Sequence, residues 1–232
     1  MTALNRHLAL LTLVLAAPWV LAQEAFVPVT QEPHHRLVLE TSRYRIYDVL
    51  IDAGNSTLMH QHDTNNFVVL LSDAQVTTEI PGVPATTRQA KAGIVNFTPA
   101  SVAEPLVHKV SASGSAPFRN FLIELKQPAS DAASGAEAAI DPAWTVVRES
   151  PRGKAYRATL DAGQSLKIPA GSVEPILVCI TEGHLRHPAL NSAAAPWQCK
   201  TGDFLLLEGA DASPVVMNAG TAGLDVVLVA PR

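Results

Sequence analysis

Residues 51–56 read Ile-Asp-Ala-Gly-Asn-Ser, and residues 160–165 read Leu-Asp-Ala-Gly-Gln-Ser, at an offset of 109 positions. An Asp-Ala-Gly turn alone is common, but one constant offset across several separate blocks indicates an internal repeat. The 232 residues are therefore predicted to form two similar units. The same offset relates Tyr47 to Tyr156, Phe67–Leu71 to Ile176–Ile180, and Gly93–Phe97 to Gly202–Leu206.

The segments around these turns have the composition of β-strands. Short runs rich in Val, Ile and Leu, such as Arg45–Ile51 and Asn120–Leu125, alternate with Gly, Pro and Asn. Such spacing is typical of an all-β sandwich or barrel. Residues 126–143 are rich in Ala, Ser, Asp and Pro and lack apolar periodicity, which predicts a linker. It would separate a first domain, 23–125, from a second domain, 144–232.

The first 22 residues have the pattern of a secretory signal peptide. Arg6 and His7 precede the apolar run Leu8–Val20, and Ala22 places a small residue before a cleavage point. The alternative is a retained membrane anchor, but the run is shorter than the ~20 apolar residues that span a bilayer. We therefore expect a periplasmic or secreted protein without a stable membrane span.

Composition and charge restrict the partners. The net charge is −4 and aromatic residues make up 5% of the chain. Nucleic-acid binding requires a basic field or stacking surfaces, and the sequence offers neither. We expect a small-molecule substrate or ligand and no nucleic acid.

Cys179 and Cys199 are the two cysteines of the chain. In an oxidising compartment an even pair favours a disulfide, and the alternative is two buried thiols that do not meet.

The first repeat contains the stretch Gly54-Asn-Ser-Thr-Leu-Met-His60-Gln-His62. In an extended strand, residues two apart point to the same face, so His60 and His62 are predicted to point into one interior. Two such imidazoles bind an ion if a third ligand arrives from another strand. The alternative is a pair of solvent-facing histidines at a turn.

The spacing Gly54-x5-His60-x-His62, followed by Gly93-x5-Pro99 and His108, resembles the two short motifs of the cupin family. With the repeat, the resemblance implies two tandem cupin-type double-stranded β-helix barrels, a jelly-roll architecture. It implies that His60, His62 and His108 bind a divalent transition metal, namely Fe, Mn, Ni, Cu or Zn. It also implies assembly as a homodimer.

Two features depart from the family pattern. The position of the family's glutamate, four residues after the second histidine, is Asn66. Asp63, or Glu104 in the loop before His108, is an alternative source of negative charge. The spacing between Pro99 and His108 is also longer than in the family motif.

The repeat predicts that the second barrel has lost the site. None of the residues 109 positions after the three histidines offers an imidazole, and Asn66 is replaced by Pro175. A core-packing role for the histidines predicts piecemeal replacement, whereas loss of a metal predicts that all three change. The three replacements are Pro169, Gly171 and Met217.

The remaining histidines are predicted to lie outside the site. We expect His34 and His35, which follow Pro33, to form an exposed turn, and His184 and His187 to be surface residues. The resemblance to cupins implies O₂-dependent oxidation of a small organic substrate at a three-histidine centre, and the alternative is a non-catalytic periplasmic protein that binds a small molecule or metal. A zinc centre would instead activate water or polarise a carbonyl.

Overall fold

The computed structural model describes residues 25–127, 140–169, 174–187, 195–207 and 215–232. Within these ranges the chain forms β-strands and one 3-10 turn, Val29–Gln31, and no α-helix. The predicted signal peptide, 1–22, and the central part of the predicted linker lie outside the described residues. No helix in the described ranges is long and apolar enough to cross a membrane.

The first repeat forms two facing five-stranded sheets, ordered β1-β4-β9-β6-β7 and β2-β3-β10-β5-β8. All strand pairs are antiparallel except β1 with β4. The strands are β1 Val27–Pro28, β2 His35–Glu40, β3 Tyr44–Ile51, β4 His60–His62, β5 Asn66–Leu70, β6 Ala74–Ile80, β7 Val83–Ala90, β8 Val95–Thr98, β9 Leu106–Ala112 and β10 Phe118–Leu125.

The second repeat forms a five-stranded sheet, β11-β12-β19-β14-β17, and a four-stranded sheet, β13-β18-β15-β16. Strands β11, β12, β19, β14 and β17 occupy the places of β2, β3, β10, β5 and β8, so the predicted pair of jelly-roll barrels is confirmed. The strands are β11 Thr145–Ser150, β12 Gly153–Leu160, β13 Ser165–Lys167, β14 Ile176–Cys179, β15 Gly183–Arg186, β16 Trp197–Cys199, β17 Phe204–Leu206, β18 Val215–Asn218 and β19 Leu224–Pro231.

The offset between the repeats is 109 residues up to β8 and 106 residues from β9 onward. Phe118 of β10 pairs with Ile51, and Leu224 of β19 pairs with Leu160 in the same register. The second repeat is thus three residues shorter before β18. Met217 is therefore not the counterpart of His108, as the constant offset predicted; the counterpart is Pro214, which lies outside the described residues.

The two barrels pack sheet against sheet. The outer faces of β3, β5 and β10 meet those of β12, β14 and β19 in one shared apolar core. Because both faces of β10 are covered, nearly all of Phe118–Leu125 is buried, and the run Phe121–Ile123 is apolar on both faces. Phe121 meets Phe204 of the second barrel edge to face, with ring centroids 5.4 Å apart.

Two arginines tie the barrels together reciprocally at the rim of this core. The Arg119 guanidinium hydrogen-bonds Asp48 through Nε at 2.9 Å and donates to the Thr201 carbonyl at 3.0 Å, beside Gly202. Arg157, at the position equivalent to Asp48, pairs with Asp225 and lies against Gly93, the equivalent of Gly202. Both glycines have positive φ, +81° and +85°, and lack the Cβ that would collide with the guanidinium.

Candidate metal centre

Three histidines from two adjacent strands meet inside the first barrel. His60 and His62 alternate with Gln61 on β4, and His108 lies opposite His60 on β9. The Nε2 atom of His108 is 3.1 Å from that of His60 and 3.2 Å from that of His62. The structure thus brings together the three histidines that the sequence singled out.

All three imidazoles are held in their neutral form. Burial lowers the pKa of His60 to about 4, against a hydrogen bond to the Leu58 carbonyl that favours protonation. Burial, followed by the proximity of neighbouring histidines, lowers the pKa of His62 to about 2 and that of His108 to about 3. At neutral pH each ring therefore has a lone pair available for a ligand.

A fourth histidine joins this cluster. The ligand nitrogens of His35, His60 and His62 lie within 4.8 Å of one another, and the His35 ring centroid is 4.7 Å from that of His60. The prediction that His35 belongs to an exposed turn is therefore wrong. Its side chain is only 6% exposed, because β2 begins at the inner end of the barrel.

A buried carboxylate, Glu32, orients His35. Glu32 accepts hydrogen bonds from His35 Nδ1 at 2.6 Å, from the His34 backbone N–H at 2.8 Å and from the Leu58 N–H at 3.1 Å. Burial alone would raise the pKa of Glu32, but the hydrogen bonds from His35 and His34 lower it to about 2. Nδ1 of His35 is thus the donor, which leaves its Nε2 free to bind.

The N-terminal segment brings Glu32 and His35 to the site. Strand β1 pairs in parallel with β4, placing Val27 beside His60, and the 3-10 turn Val29–Gln31 reverses the chain beneath Leu58. The sequence Glu32-Pro-His-His35 has no recognised metal-ligand spacing. The feature of the sequence that could have indicated His35 is a histidine at the first position of a strand, three residues after Glu32.

The arrangement fits a transition-metal ion. Two donors held about 2.1 Å from one ion lie about 3.0 Å apart at a right angle and about 3.4 Å apart at the tetrahedral angle. The Nε2 separations of 3.1 and 3.2 Å fall between these values. In neutral His60 the Nδ1–H is used by the Leu58 carbonyl, so its Nε2 carries a lone pair and lies 3.1 Å from the Nε2 of His108. Lone pairs on neighbouring nitrogens repel one another, and a cation bound between these nitrogens removes that repulsion.

The three residues predicted as further ligands or neighbours of the ion make other contacts or are exposed in the structure. Asn66 is buried, but its amide donates to the Thr64 carbonyl at 3.1 Å. Asp63 is exposed and accepts from the Thr64 hydroxyl, and Glu104 is exposed in the loop that precedes β9. His35 lies in the cluster instead.

The cluster forms one wall of a cavity of about 210 Å³. Most of the remaining wall is aliphatic or aromatic, and its polar members are threonines, two asparagines and one arginine. No aspartate or glutamate of the described residues lines it. A pocket with mostly apolar walls and a few polar groups is the usual form of a small-molecule site.

Solved structures share this architecture. A cupin 2 conserved barrel domain protein from Leptotrichia buccalis aligns with a TM-score of 0.50 over 84% of this chain and 87% of its own, at 13% identity. The chain has a cupin fold. Bacterial pirin from Escherichia coli in complex with nickel(II) aligns with a TM-score of 0.54 over 85% of this chain and 90% of its own, at 15% identity. Salicylate 1,2-dioxygenase from Pseudaminobacter salicylatoxidans aligns with a TM-score of 0.53 over 82% of this chain and 71% of its own, at 11% identity.

No protein-family model and no curated protein sequence matches the chain. The similarity to cupins is therefore one of fold, and the site has to be argued from its own residues.

The second cupin barrel is filled by its own side chains. Leu166, Leu185 and Val216 occupy its interior together with Trp144 and Tyr156. Its histidines do not form a cluster: His184 is exposed as expected, whereas His187 is buried, contrary to its prediction as a surface residue.

The cysteines also lie in the core of the second cupin barrel, on β14 and β16. Cys179 and Cys199 are free thiols, so the expected disulfide is not formed in this structure. Contact with Cys199 and burial together raise the pKa of the Cys179 thiol. Contact with Cys179 lowers the pKa of the Cys199 thiol, but both thiols are buried, so neither is placed to attack a substrate.

Proposed function

We propose that this cupin is an exported metal-dependent oxidoreductase that oxidises a small organic substrate with O₂ in its first barrel. The observation that carries the proposal is the convergence of the Nε2 atoms of His60, His62 and His108 at 3.1 and 3.2 Å on the wall of a cavity. His35, oriented by Glu32, is the fourth ligand in place of the family's glutamate.

The protein residues have three tasks in this proposal. The imidazoles hold a divalent ion, and an ion such as Fe(II) supplies the redox chemistry when it is bound. Glu32 keeps the His35 proton on Nδ1, which fixes the direction of the Nε2 lone pair. The apolar walls, among them Val68 and Leu122, exclude water from the bound substrate.

A non-catalytic metal or small-molecule carrier is the second candidate. One observation favours it: the cavity wall contains no carboxylate in the described residues, and all of its imidazoles belong to the cluster. No group is thus left to act as a general base.

Metal content tests the proposal. The mature chain is purified from the export compartment without a metal-affinity tag, and bound metal is measured by mass spectrometry. We expect about one transition-metal ion per chain, lost in His60→Ala and His108→Ala and retained in the control His184→Ala, whose side chain is exposed in the other barrel. A folded, metal-free wild-type protein refutes the centre.

Two further measurements address the reaction and the location. Oxygen consumption is followed with phenolic, thiol and oxo-acid substrates; no consumption together with tight retention of a ligand supports the carrier. N-terminal sequencing of the protein from the periplasm or medium checks export, and residue 23 is the expected first residue. Light scattering of the same preparation tests the predicted homodimer.

A further inference from the structure

The cavity wall carries a buried amide that the metal centre does not use. Asn120 on β10 is 5% exposed, and its side chain has no hydrogen-bond partner among the described residues. Its chain neighbour Arg119 points to the outer face of the sheet, so strand alternation directs Asn120 into the cavity. A ligand that fills the cavity displaces the water at this amide, and a hydrogen bond to the ligand keeps the amide paired.

The cavity also has one unpaired cation. Arg88 on β7 lies opposite Val76, and both line the cavity, whereas Thr77 and Thr87 hydrogen-bond each other on the outer face. In the described part of the chain no carboxylate lies within ion-pair distance of Arg88. Its side chain is exposed, which places the guanidinium at the mouth of the cavity.

The charges around the cavity favour an anion. The ligand set consists of neutral imidazoles. The family's glutamate, whose charge would neutralise part of the ion's charge, is replaced by Asn66. Glu32 offsets one charge from behind His35. A bound divalent ion and Arg88 therefore leave the cavity positive, and a positive cleft with apolar walls attracts an anionic ligand.

The volume and walls limit the size of that anion. A cavity of about 150 Å³ holds benzene, so the cavity of about 210 Å³ holds one substituted ring. Aliphatic and aromatic side chains supply the faces against which such a ring packs; they include Val49, Ile51, Val110, Phe118 and Leu122.

We propose that the cavity binds a monocyclic carboxylate, recognised by the Arg88 cation and by a hydrogen bond from Asn120. This inference rests on the proposed function, since it names the substrate or cargo of the same centre. The ring packs against the apolar wall, and the carboxylate neutralises the excess positive charge.

Benzoate and its neutral isostere benzamide test the inference. Both are titrated calorimetrically into cobalt(II)-loaded protein whose metal content has been measured. We expect benzoate to bind at least about tenfold more tightly than benzamide. Arg88→Gln should weaken benzoate about tenfold and leave benzamide and the metal content unchanged. The matched control is Lys91→Gln, which removes an equal charge from a lysine paired with Asp73 outside the cavity.

Asn120 is tested by two variants because a buried substitution can disturb the fold. Asn120→Leu should weaken benzoate at least about fivefold. Asn120→Asp, which keeps the shape, should weaken benzoate and leave benzamide less affected. Each variant must first show a wild-type thermal unfolding transition.

The outcomes separate the two levels of the proposal. Wild-type protein that holds no cobalt refutes the metal centre itself. Protein that holds cobalt but binds benzamide as tightly as benzoate overturns the anion preference. Benzoate affinity that is equal in wild type, Arg88→Gln and Lys91→Gln overturns the role of Arg88 and shows simple association with the ion.

Discussion

Glu32→Gln is the substitution that most directly tests how the histidine cluster is organised. Glu32 is fully buried at its side chain and accepts hydrogen bonds from His35, from His34 and from the Leu58 backbone. Glutamine has the same size but carries no charge and presents an N–H group towards other N–H groups. The variant therefore removes the charge-assisted bond to His35 while it leaves the four imidazoles in the chain.

The expected loss of metal affinity is 10- to 100-fold. Removing the carboxylate partner of a ligating histidine typically has an effect of about this size, because the partner raises ligand basicity and fixes the ring. The range corresponds to about 1.4–2.7 kcal/mol of binding free energy. The short His35 Nδ1–Glu32 distance, 2.6 Å, favours the upper half of the range.

The assay is competition for zinc(II) against a chromophoric chelator at pH 7.5. Glu40→Gln is the matched control, because Glu40 is a half-exposed carboxylate that pairs with Lys126 at 2.8 Å away from the cluster. His35→Gln and the double variant His35→Gln/Glu32→Gln complete a double-mutant cycle. If Glu32 acts through His35, the double variant should lose no more affinity than His35→Gln alone.

Three results contradict this reasoning. Folded Glu32→Gln protein that binds zinc within twofold of wild type shows that the carboxylate does not support a ligand. An equal loss in Glu40→Gln points to a general charge effect. Full additivity in the double variant places Glu32 and His35 in separate roles.

Three other predictions concern stability and reactivity. Burial keeps His62 neutral with a pKa of about 2, whereas in the unfolded chain it takes up a proton near pH 6.5. The free energy of unfolding of the metal-free protein should therefore fall by about 1.4 kcal/mol through this residue as the pH is lowered from 7.5 to 5.5. Urea unfolding of wild type and His62→Gln measures this difference, and parallel pH dependences of the two proteins would exclude it. Glu124, whose pKa burial raises to about 7, acts with the opposite sign but equally in both proteins. Phe121→Ala should lower the free energy of unfolding by about 3–5 kcal/mol, because the ring is 2% exposed between the barrels. A decrease in melting temperature as small as that of a surface substitution would contradict this. In reduced protein Cys179 and Cys199 should react with Ellman's reagent only after unfolding, and rapid reaction of native protein would show that the core of the second barrel is open.

The sequence predicted the two repeats and the shared face of His60 and His62 from regular spacing, whereas His108 was assigned from the resemblance to the second cupin motif. A strand alternates its side chains strictly, so His60-Gln-His62 determines a shared face without knowledge of the neighbouring strands. A repeat conserves turn positions, and Gly93 and Gly202 keep the same positive φ. Both inferences depend on local backbone geometry.

The remaining features depend on contacts between distant segments. His35 reaches the cluster only because β1 pairs in parallel with β4 and Glu32 anchors the Leu58 N–H. The second repeat is three residues shorter before β18, and the sequence did not reveal this because similar apolar strands can be aligned at more than one offset. Met217 was therefore wrongly taken as the counterpart of His108. Arg88 and Asn120 belong to strands whose orientation becomes clear only from the pairing register.

The shared core means that each barrel covers an apolar face of the other. The second barrel has no histidine cluster among its described residues, yet its sheet shields the outer apolar faces of β3, β5 and β10 from water. A first barrel expressed alone would expose Ile46, Val69 and Ile123, a continuous apolar patch of the kind that drives aggregation. The second barrel therefore covers the outer sheet of the first barrel, and the first barrel depends on that cover to keep its apolar face out of water.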